Sequence, residues 1–348
     1  MEFGMFHEFP TRAGRSHAAA FDEALAQVDA AENWGLDALW LAELHFAPER
    51  SVLAAPLTIA AAIAARTRRI KIGIAVQVLP LCHPLRLAEE VATVDQLSRG
   101  RVIFGVGRSG VVHTYDAYGV AYGESRDRFR EAMDIIKLAW TRPGCSYRGQ
   151  YHSFTDISVV PLPCQAPHPP IRMAASTADT FPMIGELGLP IFASARTVPW
   201  SDLAPSIRRY REAWAASGHP GKGEVYVSVP VYLAETADKA RADPERSILW
   251  FYRYQADLQA DSARRTGAAG TARAARGERL RQLSYDQALN DHLLFGTPSM
   301  VVERLRALQD ELQFDGILAE LNCGGLLAHE QVMGALRLLC HEVMPQFR

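Results

Sequence analysis

The chain has 348 residues, which is enough for one large domain or two smaller ones. Hydrophobic residues make up 48% and charged residues 22% of it, as in globular proteins with a sizeable core. The net charge of −2 creates no broad field to attract nucleic acid or an anionic membrane, so the composition favours a site for a small molecule.

Cysteine usage and apolar runs narrow the class of protein further. The cysteines lack CxxC spacing and are odd in number, so the sequence predicts neither a metal site nor a disulfide framework, but reduced thiols in a cytoplasmic protein. The N-terminus has no basic segment followed by a long apolar one, as a signal peptide would have. No apolar run approaches the ~20 residues of a membrane span.

Short apolar or β-branched segments alternate along the chain with segments whose apolar residues recur at helical spacing. The predicted strands are 3–6, 38–42, 70–79, 101–106, 171–174, 191–193, 224–233 and 316–321. The predicted helices are 18–34, 56–67, 84–97, 124–140, 180–187, 201–216, 299–312 and 329–343. Strand-then-helix units with short connections predict an α/β fold, a closed (β/α)8 TIM barrel that forms a single domain over residues 1–348.

Residues 234–296 interrupt this alternation and are predicted to be an insertion after the seventh strand. Within them, residues 262–277 are small or basic and lack large apolar side chains, a composition that cannot bury a core. We therefore expect a mobile loop over about 260–292. It has two possible interpretations, a segment without function and a lid over the active site.

Active sites of such barrels lie at the C-terminal ends of the strands, where this chain has several polar residues. They are His7, Glu8, Glu43, His45, Gln77, His83, Arg108, Ser176, Thr180 and Asn322. A lone histidine after an apolar strand, such as His45, is more often structural than catalytic. The spacing of His7, His45 and His83 supports no zinc site.

Residues 105–110 match the pattern GxGxxG. A dinucleotide site would need a helix that begins at these glycines, whereas residues 111–119 are β-branched, aromatic and turn-like. We expect instead that the glycines let the backbone approach a flat ligand or a phosphate, with Arg108 as a charged clamp; the alternative for Arg108 is a surface ion pair. Hydroxyls at residues 176–180 precede a helix, where they form an anion site or cap the helix through Ser176 or Asp179.

Several segments, in chain order, resemble motifs of the bacterial-luciferase-like flavin-dependent monooxygenases. They are 36–46 (LDALWLAELHF), 78–84, 88–101, 104–108 (FGVGR), 124–126, 188–190, 295–298 and 342–345. The resemblance implies an enzyme that uses reduced FMN and O2, through a C4a-(hydro)peroxyflavin, to oxygenate a small organic substrate. It also implies a separate flavin reductase that supplies the reduced FMN, and a homodimer.

The same resemblance implies roles for individual residues. Arg108, Ser176 and Thr180 would bind the flavin phosphate, and Glu43 and His45 would line the ring pocket. The implied cofactor-binding residues are Ala75, Gln77, Gly107, Arg108, Ala175, Ser176 and Thr180, and the implied catalytic residues are Glu43, His45 and His113. A cis peptide bond between Ala75 and Val76 is also implied.

One departure from the family pattern concerns catalysis. Light-emitting members carry two histidines after the strand-two glutamate, and this chain has Leu44 and His45, which argues against light emission from aldehyde oxidation. His113, Tyr115 and Tyr118 are candidates for a replacement acid or base. Two alternatives stay open: a deazaflavin-dependent oxidoreductase that transfers hydride without O2, and a non-catalytic flavin-binding protein, which Leu44 favours.

Overall fold

A closed parallel barrel is the centre of the fold in the computed structural model, which describes residues 1–175 and 177–348, apart from the side chains of 268 and 269. Its strands are β1 (Glu2–His7), β2 (Ala38–Leu41), β3 (Lys71–Ile74), β4 (Gln77–Val78), β5 (Val102–Gly107), β6 (Cys145–Arg148), β7 (Ser153–Ile157), β8 (Ile171–Ala174), β9 (Ile191–Ser194), β10 (Val225–Leu233), β11 (Leu294–Gly296) and β12 (Gly316–Glu320). The barrel runs β1-β2-β3-β5-β8-β9-β10-β12, and β12 pairs in parallel with β1 to close it. The predicted (β/α)8 architecture is confirmed.

Helices follow the barrel strands and cover them. They are α1 (His17–Asn33), α2 (Pro56–Arg66), α3 (Pro84–Ser98), α4 (Val112–Ala117), α5 (Ser125–Thr141), α6 (Thr180–Glu186), α7 (Trp200–Ala216), α8 (Ala237–Thr266), α9 (Thr271–Gln282), α10 (Tyr285–Asp291), α11 (Pro298–Leu312) and α12 (His329–Leu338). Local sequence explains several starts: Ser16 caps α1 through a 3.1 Å bond from the Ala19 N–H, and prolines begin α2, α3 and α11. Among the described residues, no helix combines the length and the apolar character that a membrane crossing requires.

The barrel interior is packed, and its N-terminal end is closed. Trp40 fills the space that Gly4 and Gly73 leave on the neighbouring strands, since a Cβ at either glycine would overlap the indole. Arg172 lies 5.0 Å from the Trp40 ring and forms a 2.9 Å ion pair with Glu2 at the start of β1. A ligand therefore has access to the barrel only from the C-terminal ends of the strands.

The insertion between β10 and β11 differs from the expected loop, because helices α8, α9 and α10 occupy it. The expectation of an unstructured segment is corrected: alanine and arginine are strong helix formers, and small side chains let α9 lie close against α8. A Cβ at Gly277 would lie 3.0 Å from the Ala256 carbonyl oxygen. The mobility of this segment and its function as a lid stay predictions.

Candidate functional site

Glu43, just beyond β2, is the fixed centre of a hydrogen-bonded group at the open end of the barrel. Its side chain is 3% exposed and accepts hydrogen bonds from His45 Nε2 (2.8 Å), Gln77 Nε2 (2.6 Å) and the Val78 N–H (2.8 Å). An ionised carboxylate only accepts, so Nε2 of His45 carries a proton when Glu43 is charged. Glu43 thereby sets both the orientation and the tautomer of the imidazole.

The other ring nitrogen of His45 faces an aromatic side chain from the segment after α4. Nδ1 lies 3.3 Å from Tyr118 Oη, and the two rings are 5.3 Å apart. Burial, followed by the charge of Glu43, raises the pKa of the Tyr118 phenol, so the hydroxyl keeps its proton. The line Glu43–His45–Tyr118 thus connects a buried carboxylate to an exposed phenol and can move a proton between them.

The residues between β3 and β4 pack closely on Gly107 of β5 beside this group. The Ala75–Val76 bond is cis, as the resemblance implies, and the Ala75 N–H donates to the Leu41 carbonyl at 2.8 Å. A Cβ at Gly107 would come within 2.5 Å of Val76 Cγ2. Within the described residues, Gln77 Oε1 is buried and has no hydrogen-bond partner. A buried acceptor without a partner among the described residues suits a ligand that carries an N–H.

Arg108 follows β5 and is half-buried. It donates from Nη1 to Ser125 Oγ at 3.2 Å, and its backbone oxygen accepts from the Tyr115 hydroxyl. Burial lowers the pKa of its guanidinium, and the charges of Arg126 and Arg273 lower it further. Within the described residues Arg108 forms no ion pair with a carboxylate, so the alternative of a surface ion pair is not what the structure shows.

The predicted phosphate contacts after β8 are only partly described. Ser176 lies outside the described residues. Ala175 is buried and donates from its backbone N–H to the Phe192 carbonyl at 2.9 Å. Thr180 is the buried first residue of α6, with its Oγ1 2.7 Å from that of Thr177, and Asp179 forms no side-chain cap.

His113 faces the insertion, and its role in catalysis stays a prediction. It is on α4, a six-residue helix where the sequence indicated a turn, and its Nδ1 is 4.0 Å from the Asp261 carboxylate of α8. Neither Glu43 nor His45 is among its described contacts. The insertion is tied to the same region, because Ser262 Oγ donates to the Gly110 carbonyl at 3.1 Å.

Four charged side chains are buried together at the same end of the barrel. Sequence analysis named only one of them, Glu8, as a candidate site residue. Glu8 Oε1 lies 2.5 Å from Arg50 Nη2 and 2.8 Å from Arg196 Nη2, and Arg196 Nε lies 2.7 Å from Glu320 Oε2. Burial opposes the ionisation of Glu8, but Arg50 and Arg196 lower its pKa to about 2. Arg196 follows β9 and Glu320 ends β12. Their position at the ends of strands could have identified them as candidates.

Known proteins resemble this chain in sequence and in fold. A family model described as luciferase-like monooxygenase matches residues 1–313. Limonene 1,2-monooxygenase of Rhodococcus erythropolis is 27% identical, over 100% of this chain and 87% of its own. An uncharacterized protein of Sinorhizobium fredii, y4wF, is 32% identical, but the match spans only 52% of either chain.

Solved structures show the same fold. The monooxygenase RslO1 from Streptomyces bottropensis superposes with a TM-score of 0.82 at 25% identity, over 100% of both chains. The oxygenating constituent of 3,6-diketocamphane monooxygenase from Pseudomonas putida, in complex with FMN, also has a TM-score of 0.82, at 22% identity, over 99% of this chain and 98% of its own. Because the family model matches most of the sequence, the chain belongs to the luciferase-like monooxygenase family.

Proposed function

We propose that this protein is the oxygenase component of a two-component, FMN-dependent monooxygenase that oxygenates a small organic substrate. The observation that carries the proposal is the hydrogen-bonded line from Glu43 through His45 to Tyr118, beside the buried Gln77 Oε1, which has no partner among the described residues. It combines a place for a planar cofactor with groups that can move a proton. The oxygenating relative whose structure contains FMN supports the choice of cofactor.

The residues present fit FMN in both of its parts. Ala75, Gly107, Ala175 and Gln77 would hold the ring, with Gln77 Oε1 as an acceptor that lacks a partner among the described residues. Arg108 would bind the phosphate, together with Thr180 and Ser176. Reduced FMN, when bound, supplies the electrons that activate O2.

The side chains of the chain supply the proton transfers. One oxygen atom enters the substrate and the other leaves as water, so the site must deliver protons to oxygen. His45 is placed for this, since Glu43 fixes its Nε2 and leaves Nδ1 free to exchange a proton with the Tyr118 hydroxyl or with substrate. His113 is kept as a proposed further acid or base beside the insertion.

Exclusion of water is the proposed task of the insertion. Water in the site would divert the oxidising equivalents into peroxide. The insertion covers the segment after β5 through the Ser262–Gly110 hydrogen bond and a 2.6 Å ion pair between Arg265 and Asp116. The proposal includes a separate flavin reductase that delivers reduced FMN. One relative, which is named as the oxygenase component of a trigonelline monooxygenase, supports such a division of labour. It also includes a homodimer formed through α2 and α3.

The test is anaerobic titration of the protein with reduced FMN and with a reduced deazaflavin, followed by exposure to 18O2 with candidate substrates. Cyclic ketones, cyclic alkenes and aliphatic aldehydes are the first compounds to try. Saturable binding of reduced FMN and one 18O atom in the product would support the proposal. Preference for the deazaflavin, with product formed in the absence of O2, would refute it. Tight retention of oxidised flavin without turnover would indicate a binding protein instead.

A further inference from the structure

Arginines from two separate parts of the chain converge on the proposed phosphate site. Arg108 comes from the barrel, after β5, and Arg273 comes from α9 of the insertion. Both Arg273 and the exposed Arg126 lie near enough to lower the pKa of the Arg108 guanidinium. Three positive charges therefore share one region at the mouth of the barrel.

Within the described part of the chain, Arg273 is held there by an aromatic residue, and no carboxylate pairs with it. Its guanidinium carbon lies 4.7 Å from the centre of the Tyr122 ring, and its Nη2 donates to the Tyr122 hydroxyl. Tyr122 packs edge-on against Tyr115 at 5.0 Å, and the Tyr115 hydroxyl donates to the backbone oxygen of Arg108. A continuous set of contacts thus connects the insertion to the residue that we propose as the phosphate clamp.

Among the described residues, no carboxylate forms an ion pair with these three arginines. Other arginines of α5 and of the insertion do form ion pairs. They are Arg128, Arg241, Arg264, Arg265 and Arg281. Nη1 of Arg273 is buried and, among the described residues, has no hydrogen-bond partner. Close approach of like charges and burial of an unpaired donor are both costly unless an anion neutralises them. A ligand with a double negative charge would neutralise the arginines and accept a hydrogen bond from Arg273 Nη1.

We propose that Arg273 is a second arginine ligand of the flavin phosphate, so that the anion site is complete only when α9 lies on the barrel. This inference rests on the proposed function, because it takes the phosphate of FMN as the anion. Binding of that phosphate would then stabilise the docked position of the insertion, since it adds contacts that exist only there. The cofactor itself would hold the insertion over the site.

The experiment compares the anaerobic affinities of reduced FMN and reduced riboflavin, which differ by the phosphate alone. Arg273→Gln removes the charge and keeps a polar side chain at this position. We expect this variant to bind FMN at least about tenfold more weakly and to leave riboflavin affinity unchanged, as for loss of one charge-assisted hydrogen bond. Arg241→Gln is the matched control, because it removes a charge of the same insertion whose partner, Asp286, also belongs to the insertion. It should not change the ratio of the two affinities.

Unchanged FMN affinity in Arg273→Gln, or equal losses for FMN and riboflavin, would overturn the inference and leave the proposed function standing. A wild-type protein that binds neither reduced flavin would overturn the proposed function itself. Hydrogen exchange gives a second readout: FMN should slow exchange over 271–282 in the wild type more than riboflavin does, and this difference should disappear in Arg273→Gln. An equal effect of the two flavins in the wild type would contradict the coupling.

Discussion

Replacing Glu43 by glutamine tests whether this carboxylate acts by fixing the tautomer of His45. Oε2 of Glu43 faces two donors, Gln77 Nε2 at 2.6 Å and the Val78 N–H at 2.8 Å, whereas Oε1 faces only His45. The oxygen of a glutamine must stay with the two donors, so its NH2 group must face His45. Nε2 of His45 then becomes an acceptor, and the ring proton moves to Nδ1, opposite Tyr118.

The structure predicts a small effect on stability and a large one on turnover. Three charge-assisted bonds become neutral ones or change direction, at a cost of about 1–3 kcal/mol in the free energy of unfolding. Loss of a correctly protonated acid–base group lowers turnover by roughly 10²- to 10⁴-fold. Glu43→Ala is a harsher change, because it leaves the donors of Gln77 and Val78 buried without an acceptor, each at about 1–3 kcal/mol.

Three measurements on Glu43→Gln separate these effects: chemical denaturation, the affinity for reduced FMN, and the rate of 18O incorporation. The nitrogen chemical shifts of His45 report the tautomer directly. We expect a folded protein whose His45 proton has moved from Nε2 to Nδ1 and whose turnover has fallen. Turnover within about threefold of wild type, together with the switched tautomer, would refute a catalytic role for the Glu43–His45 pair.

The remaining predictions concern the phenol of Tyr118, the close packing at Gly107 and the buried His7. Tyr118→Phe removes the hydroxyl 3.3 Å from His45 Nδ1, so turnover should fall by about 2- to 10-fold and FMN affinity should stay unchanged in the titration. Gly107→Ala places a Cβ 2.5 Å from Val76 Cγ2, so the free energy of unfolding should fall by about 1–3 kcal/mol and FMN should bind more weakly; full retention of both would contradict the close approach. Burial lowers the pKa of His7 from 6.5 to about 4, so the folded state favours the neutral ring. This stabilisation is complete above pH 6.5 and is lost as the pH falls towards 4, by about 3 kcal/mol, and denaturation curves from pH 4 to 7 should show a smaller loss in His7→Gln.

The barrel could be predicted from the sequence because each of its units is local. The segment 18–34 has helical spacing of apolar residues and a glycine after its end, and α1 occupies His17–Asn33. The β-branched run at 70–79 became two strands, β3 and β4, which the Ala75–Val76 bond separates. Periodicity thus gives the type of element. The resemblance to the family implied the cis bond, but the interruption of the third strand was not predicted.

Two errors have a common physical cause. The segment 262–277 was interpreted as a loop because it lacks large apolar side chains, yet α8 and α9 need only small ones at their close contact. The polar hairpin of β6 and β7 was not predicted either. In both cases pairing between segments, and not the apolar content of either segment, sets the secondary structure.

The candidate site was predictable where its residues follow single strands, as Glu43, His45 and Arg108 do. The four buried charges were not, because residues 8, 50, 196 and 320 meet only when the barrel closes. His113 was assigned to catalysis for its place after the fourth strand, and the side chain faces Asp261 of the insertion. The direction of a side chain on a short segment depends on what packs over it, which a single sequence does not show.

The buried charges also explain how the insertion is anchored. The guanidinium carbons of Arg50 and Arg196 lie 5.1 and 4.9 Å from the ring centre of Phe251, a fully buried residue in the first half of α8. Since Glu8 fixes both arginines, this half of α8 is attached to the barrel by contacts that are costly to break. Arg273, by contrast, is held mainly by Tyr122. We therefore expect the proposed closing motion of the insertion to take place beyond Phe251, on the side that carries Arg273 towards the proposed phosphate site.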